Sequence, residues 1–141
     1  MRAYISGQIT GKTRTDISIM AKMVQIAEEK GVEVYFPERD TNNGELDSPS
    51  ITPEEIYERD TKAIKQSELI VIECSNPSTG NGMEIMLAYL FDKVIICAYE
   101  KGAVVSRILL GMPSIEFIVY ENEEDLKKKF LDILAKQVVT E

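Results

Sequence analysis

Five short segments rich in Val and Ile dominate the sequence, and each is followed by a longer stretch with the apolar spacing of a helix. The segments are AYIS at 3–6, VEVYF at 32–36, ELIVIEC at 68–74, KVIICAY at 93–99 and IEFIVY at 115–120. Nearly continuous Val and Ile runs suit strands covered on both faces, and alternation with helices favours parallel pairing. The pattern therefore predicts a three-layer α/β fold of the flavodoxin-like or Rossmann-like kind. Its five-stranded parallel sheet has the order 2-1-3-4-5, with helices on both faces.

The helical stretches carry recognisable start and stop signals. Thr52 is placed to cap the second helix, with Pro53 at its first position and Glu55 completing a capping box, and Gly31 is placed to end the first helix. The predicted helices cover about 14–30, about 53–67, a stretch following Gly82, about 103–110 and about 123–138. The polar stretch at 37–50 is too long for a minimal connection, and we interpret it as a lid or rim.

Length and composition limit the classes of protein to consider. The 141 residues suit a single domain, 1–141, and the formal net charge of -8 argues against binding a nucleic acid polymer. No apolar run approaches the ~20 residues of a membrane span, and the N-terminus begins at once with a strand pattern rather than a signal peptide. We therefore expect a cytoplasmic protein, with Cys74 and Cys97 as buried, reduced thiols.

Histidine is absent from the chain. Its absence removes Ser-His and Cys-His nucleophile systems together with the commonest metal ligand, so Asp, Glu, Tyr or Lys must move the protons in any reaction. The sequence also lacks the Walker-type phosphate loop, a GxGxxG after a strand, and CxxC. We expect neither a metal nor an organic cofactor.

Two carboxylates fall among residues that should face the interior. Glu84 opens the stretch EIMLAYLF, which is apolar nearly all round and should be buried between the sheet and something else, such as a second subunit. Asp60 shares a helical stripe with Ile56, whereas Glu58 and Arg59 can point outward. Glu84 is either a first-turn carboxylate that favours the helix dipole or a functional group. Asp60 is either functional or an ordinary partner of a Lys or a loop.

Two Gly-rich loops follow the first and third strands. Because these strands are neighbours in the predicted order, the loops SGQITG and SNPSTGNG lie side by side at the edge where such sheets bind ligands. Gly residues allow close backbone approach, the helix after STGNG offers free N–H groups to an anion, and Lys12 adds positive charge. With two carboxylates and no histidine, these loops suggest a phosphorylated substrate and glycosyl transfer, in which one acid attacks the sugar carbon and the other handles a proton.

Three stretches, in this order and spacing, resemble the nucleoside 2-deoxyribosyltransferase superfamily, and most of all its 2′-deoxynucleoside 5′-monophosphate N-glycosidase branch. They are YISGQITG, ERDTKAIKQSELIVIECSNPSTGNGMEIMLAYLFDKVIIC and VVSRILLG, and the resemblance spans residues 3 to about 120. It implies that Glu84 is the nucleophile that forms a glycosyl ester and that Asp60 protonates the departing base or activates water. It also implies that Tyr4 lies beside the sugar, where its hydroxyl would hydrogen-bond Glu84 and crowd a 2′-hydroxyl; the alternative for Tyr4 is simple packing in the sheet.

The same resemblance implies a phosphate site shared between subunits. Ser78 stands where the transferases carry an Asp, and a hydroxyl donates to a phosphate that an Asp would repel. Ser106 matches a serine that reaches the phosphate from a neighbouring subunit, which implies at least a homodimer. Thr10 stands where the hydrolases usually carry an Arg. The residues implied to bind substrate and phosphate are Gly7, Gln8, Ile9, Thr10, Gly11, Ser78, Gly80, Gly82 and Ser106.

The leading expectation is an enzyme that hydrolyses the N-glycosidic bond of 2′-deoxyribonucleoside 5′-monophosphates through a covalent intermediate on Glu84. Its partners would be a small-molecule nucleotide or nucleoside and another copy of the chain, with no nucleic acid polymer and no membrane. One alternative is a nucleoside 2-deoxyribosyltransferase that exchanges bases on deoxyribose. A second alternative is a non-catalytic nucleotide-binding module that kept the fold and the pocket.

Overall fold

The computed structural model describes residues 1–7, 14–40 and 51–139. Within these ranges the strands are β1 Arg2–Gly7, β2 Glu33–Tyr35, β3 Leu69–Glu73, β4 Val94–Glu100 and β5 Ile115–Tyr120. The helices are α1 Arg14–Glu29, α2 Pro37–Asp40, α3 Pro53–Gln66, α4 Thr79–Leu90, α5 Arg107–Leu110 and α6 Glu123–Val139. Among these helices, none combines the length and the apolar character needed to cross a bilayer.

The five strands form one parallel sheet in the order β2-β1-β3-β4-β5. This confirms the predicted fold class, strand order and three-layer arrangement. The order reverses between β1 and β3, where Gly7 pairs with Glu73 at the carboxyl ends of the two strands. In sheets of this kind, ligands bind just beyond this edge.

Alternating side chains of the strands build a separate core on each face of the sheet. On one face Ala3 and Ile5 pack with Met20 of α1 and Phe130 of α6. On the other face Tyr4 and the even-numbered side chains of β3 pack against α3 and α4. Each fully buried large apolar side chain contributes about 1.5–3 kcal/mol through removal of its surface from water. The two-sided burial accounts for the nearly unbroken Val and Ile runs.

The helix ends follow the expected signals, with one exception. Thr52 caps α3 by accepting a hydrogen bond of 3.1 Å from the Glu55 N–H, and Gly31, with φ of 82°, follows the end of α1. The third long helix begins at Thr79 rather than after Gly82, so the predicted start is wrong. Its N-cap is Ser78, whose Oγ accepts from the Asn81 N–H at 3.3 Å. The cap starts the helix early, and Gly80 and Gly82 lie in its first turn instead of in a loop.

Two smaller predictions need correction or lie outside the described ranges. The predicted helix at about 103–110 is shorter, because only α5 forms within it. The predicted polar loop at 37–50 begins with the short helix α2, and its remainder, 41–50, lies outside the described residues. Cys74 and Cys97 are free thiols. A hydrogen bond with Cys74, together with burial, raises the pKa of Cys97, which keeps it protonated.

The outer face of α4 is exposed in the single chain. Met83 is 63% exposed and Leu90 is 68% exposed, and Met86, Tyr89 and Phe91 are also exposed. The expectation was burial between the sheet and something else, such as a second subunit, and the single chain supplies only the contact with the sheet. Only the side of the helix that carries Ile85 and Ala88 contacts the sheet, so the opposite side stays uncovered.

Candidate active site

The two predicted carboxylates line the same cleft. Asp60 lies in the middle of α3 and Glu84 lies near the start of α4, and both border a cleft of about 600 Å³ between these helices. The cleft is otherwise largely apolar; its lining includes Ile56, Ile64, Met83, Leu87 and Leu90. The Asp60 side chain is 19% exposed, and Glu84 is also only partly exposed. The apolar stripe that carries Asp60 thus brings an acid to the wall of the cleft, as the sequence predicted.

Tyr4 lies beneath the two carboxylates. It projects from β1 toward α3 and α4 and is fully buried. Burial raises the pKa of Tyr4 well above its ordinary value, and the negative charges of Glu84 and Asp60 raise it further. Charges act strongly over short distances in a desolvated setting, so this coupling indicates that the three groups are neighbours. The phenol stays protonated and can donate a hydrogen bond.

Asp60 holds its proton more tightly than an ordinary aspartate. Burial raises its pKa, and the positive charge of Arg59 opposes the rise. The Arg59 Nε lies 3.8 Å from Asp60 Oδ1, which is an ion pair but too long for a hydrogen bond. A carboxyl group whose pKa is raised by burial is suited to deliver a proton near neutral pH.

Arg59 is partly buried beside Asp60, which the sequence did not anticipate. Its side chain is 26% exposed, so it does not extend freely into solvent as the sequence analysis allowed. Among the described residues, Arg59 Nε and Nη2, Asp60 Oδ1 and the Tyr35 hydroxyl are inaccessible to solvent and make no hydrogen bond. Buried polar atoms without partners are rare and frequently mark a place that a ligand completes.

A second cleft, of about 730 Å³, lies on the other side of α4. Ser78, Gly82 and Ser106 line it, whereas Gly80 lines the cleft of the two carboxylates. In this single chain, therefore, the predicted phosphate-binding residues divide between the two sides of α4. Asn81, only 4% exposed, also lines the second cleft, and its Nδ2 has no hydrogen-bond partner among the described residues.

The loop predicted to follow the first strand is only partly described. Gly7 is buried at the end of β1, beside Glu73. Gln8, Ile9, Thr10 and Gly11, with the neighbouring Lys12, lie outside the described residues. Within the described ranges, no group of three or more Asp, Glu or Cys side chains is arranged to hold a metal ion.

A buried carboxylate that the sequence analysis missed anchors the turn before α4. Glu73 is 8% exposed and accepts hydrogen bonds from the Ser75 N–H at 2.6 Å and the Ser75 hydroxyl at 2.9 Å. The Tyr120 hydroxyl donates to the same carboxylate, and the Glu100 N–H donates to the Ser75 hydroxyl at 2.9 Å. The turn that leads to Ser78 is thereby tied to β4 and β5. The sequence feature that could have revealed this carboxylate is that Glu73 is the single acid at the end of the apolar run LIVIE.

Comparisons with known proteins agree with this fold and identify the family. Residues 3–129 match the family model for nucleoside 2-deoxyribosyltransferase. A relative from Methanosarcina barkeri, provisionally named 2′-deoxynucleoside 5′-phosphate N-hydrolase 1, is 32% identical over 90% of this chain and 80% of its own length. The human protein named 5-hydroxymethyl-dUMP N-hydrolase is 32% identical over 55% of this chain and 46% of its own length.

A solved structure shares the architecture at low sequence identity. The CMP N-glycosidase of Clostridium botulinum superposes with a TM-score of 0.69 at 20% identity, covering 94% of this chain and 99% of that one. At this level of identity the likeness shows the fold alone.

Proposed function

The chain belongs to the nucleoside 2-deoxyribosyltransferase family, a family of enzymes, and from that premise we propose that it hydrolyses the N-glycosidic bond of 2′-deoxyribonucleoside 5′-monophosphates. The products are a free base and deoxyribose 5-phosphate. The observation that carries the proposal is that Asp60 and Glu84 line one cleft, with Tyr4 buried beneath them. The name of the Methanosarcina barkeri relative supports a phosphorylated substrate and transfer of the sugar to water.

In the first step, the Glu84 carboxylate attacks the anomeric carbon of the sugar. The C1′–N bond breaks, its electron pair goes to the base, and Asp60 gives its proton to the departing base. The raised pKa of Asp60 supports this role, because the group must still hold its proton when the substrate binds. Glu84 and the sugar are then joined by an ester bond.

In the second step, the ester is hydrolysed. Asp60, now ionised, takes a proton from a water molecule that attacks the anomeric carbon, and the carbon–oxygen bond to Glu84 breaks. The acid of the first step thus acts as the base of the second, as in retaining glycosidases. Tyr4 donates to the Glu84 carboxylate and occupies the space beside C2′, which disfavours ribose.

The phosphate binds at the N-terminal end of α4. Ser78 supplies a hydroxyl donor, and Gly80 and Gly82 allow close approach to the free N–H groups of the first helical turn. The unpartnered Nδ2 of Asn81 offers another donor on this side of the helix. We also assign Gly7 to Gly11 to the phosphate site, together with Ser106, which lines the same cleft as Ser78 in the single chain and which the family resemblance assigns to a second copy.

We also propose that the protein is a homodimer or a larger homo-oligomer with shared active sites. The exposed apolar face of α4 supports this, since Met83 and Leu90 border both the cleft and the uncovered surface. Val104, at 87% exposed, and Ile108, at 79% exposed, extend the apolar area beside Ser106. Contiguous exposed apolar surface of this kind usually marks an interface.

Two further expectations complete the proposal. Residues 1–141 act as one domain, because all described strands enter one sheet. We also propose a cytoplasmic location, where Cys74 and Cys97 would stay reduced.

Product analysis tests the proposed reaction. Purified protein is incubated separately with each common deoxyribonucleoside 5′-monophosphate, with the matching nucleoside, and with a nucleoside plus a second free base. Release of base and deoxyribose 5-phosphate from a monophosphate alone supports the hydrolase. Base exchange on an unphosphorylated nucleoside supports a transferase instead, and binding of nucleotide without any turnover supports a non-catalytic module.

A further inference from the structure

Arg59 and Tyr35 form a pair of buried donors on the β2 side of Asp60. Arg59 precedes Asp60 on α3, and its positive charge also acts on Tyr35, as expected for close neighbours. The Tyr35 ring stacks on Tyr4, with ring centroids 5.8 Å apart and an angle of 14° between the planes. Both side chains are therefore fixed beside the group proposed to deliver the proton.

Nothing in the described part of the protein satisfies these donors. Burial raises the pKa of Tyr35, and Arg59 lies close enough to lower it as a hydrogen-bond donor would. Even so, Arg59 Nε and Nη2 and the Tyr35 hydroxyl are inaccessible to solvent, and none of them has a partner in hydrogen-bond geometry within the described residues. The Asp60 carboxylate approaches Arg59 to 3.8 Å, short of hydrogen-bond distance. Leaving donors unmet is unfavourable, and most of all for a charged guanidinium, so an acceptor group of the substrate is the natural partner.

The pair lies behind Asp60 rather than on the lining of the cleft of the two carboxylates, so it can meet only the part of the substrate that reaches Asp60. Ser78 and Asn81 face the cleft on the far side of α4, which is where we place the phosphate. The deoxyribose offers only hydroxyl and ether oxygens and sits over Glu84. The nucleobase is the group that Asp60 must reach, and its edge carries carbonyl oxygens and ring nitrogens that accept hydrogen bonds.

We propose that Arg59 and Tyr35 bind the acceptor edge of the nucleobase and thereby set which bases the enzyme accepts. This inference rests on the proposed function, because it requires a nucleotide whose base departs beside Asp60. The planar guanidinium can give two parallel hydrogen bonds to adjacent acceptors, which an ammonium group cannot do. Bases that present such acceptors toward Arg59 are preferred substrates.

Binding measurements with and without the base test the proposal. Titration calorimetry is performed on Glu84→Gln protein, which prevents turnover, using the best deoxyribonucleoside 5′-monophosphate and, separately, deoxyribose 5-phosphate. Adding Arg59→Gln should weaken nucleotide binding by about 10- to 100-fold, as expected for hydrogen bonds to a charged donor. Binding of deoxyribose 5-phosphate should change less than about twofold, because it lacks the base.

The matched control is Lys62→Gln, which removes the same charge from the exposed side of the same helix. It should leave both affinities unchanged. Arg59→Lys keeps the charge without the planar donors, and it should also lose nucleotide affinity, by several-fold or more. Retained binding of deoxyribose 5-phosphate proves that each variant is folded. If Arg59→Gln does not fold, Arg59→Lys alone decides the question.

Two results would overturn the proposal. Equal weakening of both ligands would place Arg59 at the phosphate or sugar, and unchanged nucleotide binding would give it no contact with substrate. Neither result affects the proposed function, which stands or falls on whether the wild-type protein releases base from a monophosphate.

Discussion

Replacing Asp60 by Asn should lower activity and raise stability at the same time. The amide side chain would keep the shape of the carboxyl group but could neither give a proton to the departing base nor take one from water. Loss of a positioned general acid–base typically costs about 10²- to 10⁴-fold in rate, equivalent to about 3–5 kcal/mol of transition-state stabilisation. We expect kcat to fall by this factor while the KM for nucleotide changes little.

The effect on stability follows from the burial of the carboxyl group. The pKa of Asp60 in the folded protein lies above that of an unfolded aspartate, because burial outweighs the attraction of Arg59. The carboxyl therefore favours the folded state most below the unfolded pKa of ~3.9, and this contribution is lost as pH rises through the folded-state pKa. An asparagine side chain does not ionise. The unfolding free energy of Asp60→Asn relative to wild type should therefore rise with pH across this window.

Urea unfolding at several pH values and steady-state kinetics measure the two effects. Glu58→Gln is the control, since Glu58 is an exposed carboxylate on the same helix and no pH-dependent gain is expected from it. The reasoning is refuted if Asp60→Asn hydrolyses nucleotide at the wild-type rate. It is also refuted if the variant is less stable than wild type at neutral pH, because Asp60 would then be a favourable charge in the folded state.

Three other changes test separate parts of the account. Ser78→Asp keeps a good N-cap for α4 but places a negative charge at the phosphate, so KM should rise by about 10-fold or more for the monophosphate and little for the nucleoside. Ser78→Asn is the neutral control. Equal effects of Ser78→Asp on both substrates would argue against the phosphate site. Leu90→Lys, at a side chain that is 68% exposed, should leave the fold intact and give a monomer by light scattering, whereas a persisting dimer would exclude the α4 face as the interface. Tyr120→Phe removes one donor from the buried Glu73 carboxylate and should lower the unfolding free energy in urea by about 1–3 kcal/mol; an unchanged value would mean that solvent replaces the hydroxyl.

The strand order and parallel pairing of the sheet could be predicted from the sequence, because the pattern of the strands and the length of the connections between them allow few topologies. Short Val and Ile runs separated by helices leave few arrangements, since parallel neighbours need crossover connections. The burial of Asp60 was likewise predictable, because its position on an apolar stripe fixes the direction in which it points. The helix that begins at Thr79 was misplaced because Gly80 and Gly82 were interpreted as a loop, although Ser78 caps the helix before them.

Features that depend on contacts between distant segments could not be predicted. Helical spacing places Arg59 next to Asp60 on the outer side of α3, but it does not reveal that Tyr35 of β2 lies beside it. The network around Glu73 needs Tyr120, which is 47 residues away in the chain. Whether the outer face of α4 is exposed depends on whether another subunit covers it. The sequence cannot decide this, because a covered face and an uncovered face have the same apolar pattern.

The most direct test of the account is to trap the sugar on the protein. A nucleotide with fluorine at C2′ slows both the attack by Glu84 and the hydrolysis of the resulting ester. Because hydrolysis is slow, the glycosyl ester accumulates and can be detected by intact-mass measurement. The account predicts an added mass equal to the fluorinated sugar phosphate. Sequencing of the tryptic peptide 66–93 should locate it at Glu84, and Glu84→Gln protein should not carry it. Hydrolysis that continues in Glu84→Gln protein, or an adduct on another residue, would contradict it.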